Sequence, residues 1–511
     1  MPSTSDNNKR IAKNTLMLYF RMILLMLISL YTSRVNLNAL GVEDYGIYNV
    51  VGGVVAMFSL ISGRLSSAIS RFITFELGRG DHQRLKDIFS ASVTIQLVLS
   101  LLIIVLLETI GLWFLNTHLV IPAERLKAAN WVFQFSVLTF VINLISVPYN
   151  ACIIAHEKMS AFAYISILEA AGKLAVALLI VHSPIDRLIF FAAMLCGIAV
   201  LLRLVYGWYC THHFSECHYH PRWDGQLLRQ MFSFAGWNFI AGSAGLINNT
   251  GVNVMMNLFF GVTVNAARGV ATQVNAHVYQ FVTNFTMALN PQITKSYAQG
   301  DFTYMHSLVC RGAKFSYFLI LIFLIPICLE AHQILHLWLG IVPDYAVPFV
   351  QLTLMCTAIN VLSSTIITSI HATGNIRRFM IIVGAVEITN FPLVYIAFRL
   401  GASPLVAYYI YIVIYFILMF LRFYLTKDLI HMKASLFIKG VYLKALIVTL
   451  LAAILPVALR LAMTEETLLR FLLVCLVSFA SSFAIIYYVG LEAEERGMIM
   501  RMIRKKILHK T

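Results

Sequence analysis

The sequence predicts an all-α polytopic membrane protein with about fourteen transmembrane helices: two parallel six-helix repeats followed by two additional helices. Three observations carry this: an apolar surplus, a series of long apolar runs, and an internal repeat. The chain has 511 residues, 60% of them hydrophobic and 12% charged, and its mean hydropathy is +0.81. Soluble domains run at about 45–50% apolar and about 25% charged. A water-soluble fold of this composition would expose large apolar patches. The balance excludes a soluble enzyme, a secreted disulfide scaffold and a disordered chain.

A spanning helix needs about 20 mostly apolar residues. In the first half such runs fall at 14–37, 46–70, 88–115, 128–154, 161–181 and 187–210. In the second half they fall at 230–260, 264–290, 312–331, 346–371, 378–398 and 404–425, with two more at 440–460 and 468–490. The runs at 46–70 and 264–290 are the least clear-cut spans, being rich in Gly, Ser, Thr and Asn. The runs are continuous rather than ten-residue alternating segments, which argues against a transmembrane β-barrel. The polar start MPSTSDNNKR leads into the first run without a small-residue cleavage site, so that run is expected to stay as a helix.

Loop charges orient the chain. With the N-terminus inside, 25 of the 38 Lys and Arg fall in inside segments, Arg422 among them, against 6 outside. Both ends are therefore expected in the cytoplasm, and the net charge of +15 needs no nucleic acid to explain it. The expected organisation is a six-helix bundle over 1–211, a cytoplasmic linker over 212–229, a second bundle over 230–426, two further helices within 427–490 and a basic tail over 491–511.

The repeat appears on shifting the sequence by 220 residues. Gly41-Val42 then lies over Gly261-Val262, Val50 over Val270, Val54 over Val274 and Ile73-Thr74 over Ile293-Thr294. Gly80-Asp81 lies over Gly300-Asp301, in short inside loops of both halves. Six spans per repeat insert both halves the same way up, the parallel arrangement of some transporters.

The stretches YFRM (19–22), YTSR (31–34), LGVEDYGIYNVVGG (40–53), SRFITFELGRGD (70–81) and VPYNACIIAHEKM (147–159), set on this plan, give the chain a family resemblance. It resembles the polysaccharide-transport branch, the Wzx-type O-antigen flippases, of the MOP exporter superfamily of MATE- and MurJ-like proteins. The resemblance implies a V-shaped central cavity lined by spans one, two, seven and eight, worked by alternating access. It implies a flippase for polyprenyl-diphosphate-linked oligosaccharide in the bacterial inner membrane, serving cell-surface polysaccharide such as lipopolysaccharide. The partners are then the lipid-linked glycan, membrane lipids and other polysaccharide assembly proteins, with no nucleic acid, cofactor or metal. A cation-coupled multidrug antiporter of the same fold is a rival reading. A membrane-embedded glycan polymerase or glycosyltransferase is a second, which predicts carboxylates or a large loop domain. No P-loop, GxGxxG or catalytic Ser/His/Asp signature occurs.

The candidate site residues are ionisable and amide groups inside spans, where a charge is costly and marks function by default. Arg21, Arg64, Arg71 and Arg268 lie in spans one, two and eight, where a guanidinium can grip a diphosphate bidentately. MurJ-type relatives use cavity arginines in matching spans. Asn249, Asn253 and Asn257 repeat at i, i+4, i+8 on span seven, and Asn275 follows on span eight; amides suit sugar hydroxyls or hold helices together. Glu387 in span eleven is a candidate coupling-ion ligand or an arginine-paired carboxylate. Glu169 and Lys173 sit at i, i+4 and are expected to neutralise each other. Gly-rich span two is the expected bending element. The His/Cys-rich run 210–220 (CTHHFSECHYH) matches no metal-ligand spacing, and the eight cysteines read as small buried hydrophobes.

Overall fold

The computed structural model describes residues 4–56, 59–117, 121–220, 224–339 and 342–497; within these helices some side chains, including those of Arg64, Asn249 and Asn257, lie outside the described residues. Among the described residues every regular element is helical. The first half comprises α1 (Thr4–Ala56), α2 (Ser59–Arg79), α3 (His82–Leu106), α4 (Leu112–Thr117), α5 (Leu126–Ala155), α6 (Met159–Leu179) and α7 (Arg187–His213). Next come α8 (Gly225–Ala298), α9 (Phe302–Leu329), α10 (Ala331–Leu339), α11 (Ala346–Val361), α12 (Ser364–Thr373), α13 (Arg377–Ile388), α14 (Asn390–Arg399) and α15 (Val406–Lys427). The chain closes with α16 (Ala434–Phe437), α17 (Lys444–Ala462) and α18 (Leu468–Ile485).

Eleven segments are, among the described residues, long and apolar enough to cross a membrane. The runs expected at 46–70, 230–260 and 264–290 are helical where described but do not meet that measure. The protein is a multi-pass membrane protein. Side chains such as Leu101, Leu204, Leu450 and Leu476 stand 60–66% exposed on the helices, as lipid-facing positions require.

The 220-residue repeat has a backbone counterpart. Both long helices break at one residue, α1 at Gly41 (φ 78°, ψ 170°) and α8 at Gly261 (φ 81°, ψ −175°). That region of φ/ψ space is essentially closed to residues with a Cβ. Gly80 (φ 77°) and Gly300 (φ 75°) likewise match, each ending a helix before an aspartate. Asp81 then caps α3, its carboxylate accepting the Arg84 N–H at 2.9 Å. The described break at Gly41 falls ahead of Gly-rich span two, which is helical at Gly52 and whose residues 57–58 lie outside the described residues.

The chain forms two compact units, the first Met1–Phe239 with Thr294–Asp301, the second Ile240–Ile293 with Phe302–Thr511. In the first, Ile47, Val51 and Val55 of α1 pack with Phe133 and Val137 of α5, Ile103 of α3 and Leu188 of α7. Arg125 ties three elements at one end, donating to Asp44 Oδ1 at 2.8 Å and to Asp186 Oδ2 at 2.6 Å. The His/Cys run begins inside α7, and its later part folds back so that Phe214, Glu216 and Cys217 are buried. His156 pairs with Glu216 and stacks on Phe214, with centroids 4.1 Å apart.

In the second unit α9 is the most buried of the long apolar helices. Lipid supplies no hydrophobic drive between helices, so close approach and polar contacts must hold them together. Gly312 provides the first, since a Cβ there would meet Leu289 Cδ2 at 2.3 Å. Ion pairs provide the second. Lys314 Nζ donates to Glu495 at 2.7 and 3.0 Å from the middle of α9. Just past its C-terminal end, Arg470 Nη2 donates to Glu330 at 3.0 Å. Between them Tyr317 and Thr449 share a 2.6 Å hydrogen bond. The C-terminal part of the chain is thereby fastened to α9 at its middle and just past its C-terminal end.

Candidate polar cavity of the second unit

After the break at Gly261, α8 presents Arg268, Thr272 and Asn275 at i, i+4, i+7, one helical face. These line a cavity of about 170 Å³. The opposite walls bring Thr353, Cys356 and Thr357 from α11, Glu387 from α13, Tyr408, Tyr411 and Tyr415 from α15, and Asn248 from the first part of α8. Of the residues singled out in the sequence, the structure thus gathers Arg268, Asn275 and Glu387 into one site.

Arg268 is 5% exposed. Its Nη1 lies 3.5 Å from Met256 Sδ, and its Cζ stands 6.0 Å from the Tyr408 ring centre. Thr357 Oγ1 donates to Asn275 Oδ1 at 2.7 Å, fixing the amide with its NH₂ directed away from that bond. Asn248 Nδ2 donates to the Glu387 carbonyl at 3.0 Å, and Asn390 Nδ2 donates to Asn248 Oδ1 at 2.6 Å. Behind this layer Arg422 is buried and donates to Asn360 Oδ1 at 2.6 Å, with Glu387 as its chief electrostatic neighbour. Arg422 is therefore an interior group, not the loop charge that its place in the charge count assumes.

The cavity offers a guanidinium, amides and phenol and threonine hydroxyls, the donor set for an anionic or polyhydroxylated group. Its volume is below the ~300–1,000 Å³ of sites that enclose a small molecule. It can take a headgroup-sized portion of a ligand, not a whole oligosaccharide. Asn248, the three tyrosines and Arg422 were not singled out in the sequence. The tyrosines had a signal, the i, i+3, i+7 spacing in YYIYIVIY; the Asn248–Asn390 pair, 142 residues apart, had none.

The other candidates lie in the first unit. Arg21 of α1 stacks over Phe162 of α6 at 4.4 Å, and its Nε and Nη1 find no hydrogen-bond acceptor among the described residues. Arg71 of α2 is ringed by Phe72, Phe75 and Phe234, with centroids at 4.8, 4.8 and 5.5 Å. Such contacts contribute roughly 0.5–2 kcal/mol each and keep a cation tolerable away from water. Arg21 and Arg71 share none of these rings. The side chains of Arg64 and Asn249 lie outside the described residues. Asn253 is half-buried on α8 and is not among the residues lining the cavity.

A separate first-unit cavity of about 280 Å³ has Ser136, Thr139 and Asn143 of α5 on one wall and Glu169 and Lys173 of α6 on another. Those last two pair at 2.6 Å, as their spacing implies.

Residues 11–298 match the family model described as polysaccharide biosynthesis protein. No curated protein matches the chain. Among solved structures, a MATE transporter in a bent conformation is 14% identical, with a TM-score of 0.71 over 84% of this chain and 98% of that one. A multidrug resistance MATE transporter of the MOP superfamily, solved outward-facing, is 13% identical, with a TM-score of 0.68 over 82% and 96%. A MOP superfamily transporter from Pyrococcus furiosus, described as having a binding pocket of reverse polarity, is 13% identical, with a TM-score of 0.67 over 82% and 96%. The likeness is one of fold.

Proposed function

Because the chain belongs to the polysaccharide biosynthesis protein family, and has the fold of MOP superfamily transporters, we propose that it is a flippase. It moves polyprenyl-diphosphate-linked oligosaccharide across the bacterial inner membrane by alternating access, for cell-surface polysaccharide synthesis. The observation that carries the reading is Arg268, buried in a cavity walled mainly by Asn, Thr and Tyr, with Glu387 and Cys356. A guanidinium can bind two phosphate oxygens in its plane, and the amides and phenols supply partners for the first sugar. Arg21, Arg64 and Arg71 are proposed as further anion-binding groups of the first unit, and Asn249 and Asn253 as further sugar-binding groups of the second. Both termini lie in the cytoplasm on this reading, and the prenyl tail stays in lipid.

A second reading has one observation in its favour: Glu387 lines the same cavity as Arg268. A carboxylate there could bind a coupling cation or a proton, as in an antiporter.

Arg268→Ala separates the two. The variant inserts normally but loses surface polysaccharide, while lipid-linked glycan accumulates on the inner leaflet. Hydrogen bonds to a charged group contribute about 1.5–3 kcal/mol, so export falls at least about tenfold. Unchanged surface polysaccharide in Arg268→Ala, with cation-driven efflux of a cationic dye from proteoliposomes that Glu387→Gln abolishes, supports the antiporter reading instead.

A further inference from the structure

The turn after α5 holds a glutamate in an unusual position. At Glu157 the backbone is left-handed (φ 58°), with its N–H on Ile154 O at 2.9 Å and the next N–H on Ile153 O at 3.0 Å. This is the C-terminal helix cap that glycine or asparagine normally fills. A strained non-glycine residue points to a side chain with a task. Here the side chain is fully buried and ionic. Its Oε2 lies 2.9 Å from Arg10 Nε, and its Oε1 accepts from Lys295 Nζ at 2.7 Å. Its carbonyl accepts from Asn14 Nδ2 at 3.2 Å. Three elements thus meet: the start of α1, the α5–α6 turn and the end of α8.

Lys295 belongs to residues 294–301, which group with the first unit although the preceding stretch of α8 groups with the second. The same segment touches the end of α2. A Cβ on Gly78 would lie 2.8 Å from Ala298 Cβ and 3.0 Å from Lys295 O, and the rings of Phe75 and Tyr297 stand 6.5 Å apart. Gly78 and Ala298 are 220 residues apart, so equivalent positions of the two repeats meet here. A buried carboxylate cannot lose its cations without a large desolvation penalty, so the ion pair governs how firmly this closely packed segment is held.

We propose that Glu157 is a latch: its carboxylate, shared between Arg10 and Lys295, locks the 294–301 end of α8 against the first unit and must let go in each working cycle. The cycle rests on the transporter reading above; the lock itself does not.

Hydrogen exchange read by mass spectrometry tests it, on the full-length protein in nanodiscs of phosphatidylethanolamine and phosphatidylglycerol. Glu157→Gln and Lys295→Gln each speed exchange over 294–301 on the order of tenfold, and the double variant goes no faster than the singles. Asp224→Asn, which removes the separate Arg84–Asp224 pair, leaves the segment unchanged. The latch is overturned if both single variants exchange at the wild-type rate, or if exchange rises equally over 302–329. Should Glu157→Gln not fold, Lys295→Gln alone decides. Lipid-linked glycan flipping is measured on the same preparations. Its absence in wild-type protein whose variants show the exchange effect contradicts the proposed function and leaves the latch standing. Wild-type flipping with unchanged exchange in both variants contradicts the latch alone.

Discussion

At the residue scale, few charges sit inside the protein, and each is dressed differently. Arg268 faces a polar cavity, Arg71 is wrapped in phenylalanine, and Arg125 is shared by two aspartates. The last makes a pH prediction. Burial alone would raise the Asp186 carboxyl, but the hydrogen bond from Arg125 and the N–H groups of Ile189 and Leu188 outweigh it and hold it below the ordinary aspartate range. A depressed carboxylate stabilises the fold above its unfolded pKa of about 3.9, and the contribution fades as pH falls through its lower folded value. Thermal stability in detergent should therefore depend less on Arg125 at low pH. Arg125→Leu lowers the midpoint clearly at pH 7 and much less below about pH 3; an equal loss at both would contradict this. Arg268 and Asn275 were legible in the sequence because polar residues in apolar helices stand out. The contacts around them were not, since Asn248 meets the Glu387 carbonyl and Asn390 only through packing of segments about 140 residues apart. Nor did Glu157 show itself as a latch, because its cations come from positions 10 and 295.

At the element scale, the helices owe their breaks to glycine backbone. A Cβ added at Gly41 or Gly261 would have nothing within 4 Å, so it meets no neighbour. Replacing either by alanine therefore isolates backbone strain, which costs about 1–3 kcal/mol. Gly261→Ala should lower the thermal midpoint, whereas Gly52→Ala, helical and equally uncrowded, should leave it level or raise it. A Gly261→Ala protein as stable as wild type would show that the break is not fixed by the glycine. The repeat was readable to the residue at these glycines and at Gly80 and Gly300. The fastening of α17 and α18 to α9 was not, because Lys314 and Arg470 read as an ordinary inside charge and an ordinary outside charge until their buried carboxylate partners appear.

At the scale of the whole molecule, composition identified lipid as the solvent, and the placement of charge refined the rest. On the sequence reading most Lys and Arg fall in expected loops and tails, where such charge orients a membrane chain and meets anionic lipid. Among the described residues the buried charges are Arg268, Lys314, Arg422 and Arg470 and five glutamates, most of them engaged by arginine, lysine or histidine. Arg268, at the cavity wall, is the cation that suits an anionic cargo. The most direct measurement is flipping of a fluorescent polyprenyl-diphosphate oligosaccharide in proteoliposomes containing the purified protein. Wild-type protein should flip it, Arg268→Ala should reduce the rate at least about tenfold, and Arg268→Lys should fall between, keeping charge but losing the planar fork. Equal rates in wild type, Arg268→Ala and protein-free vesicles would contradict the account.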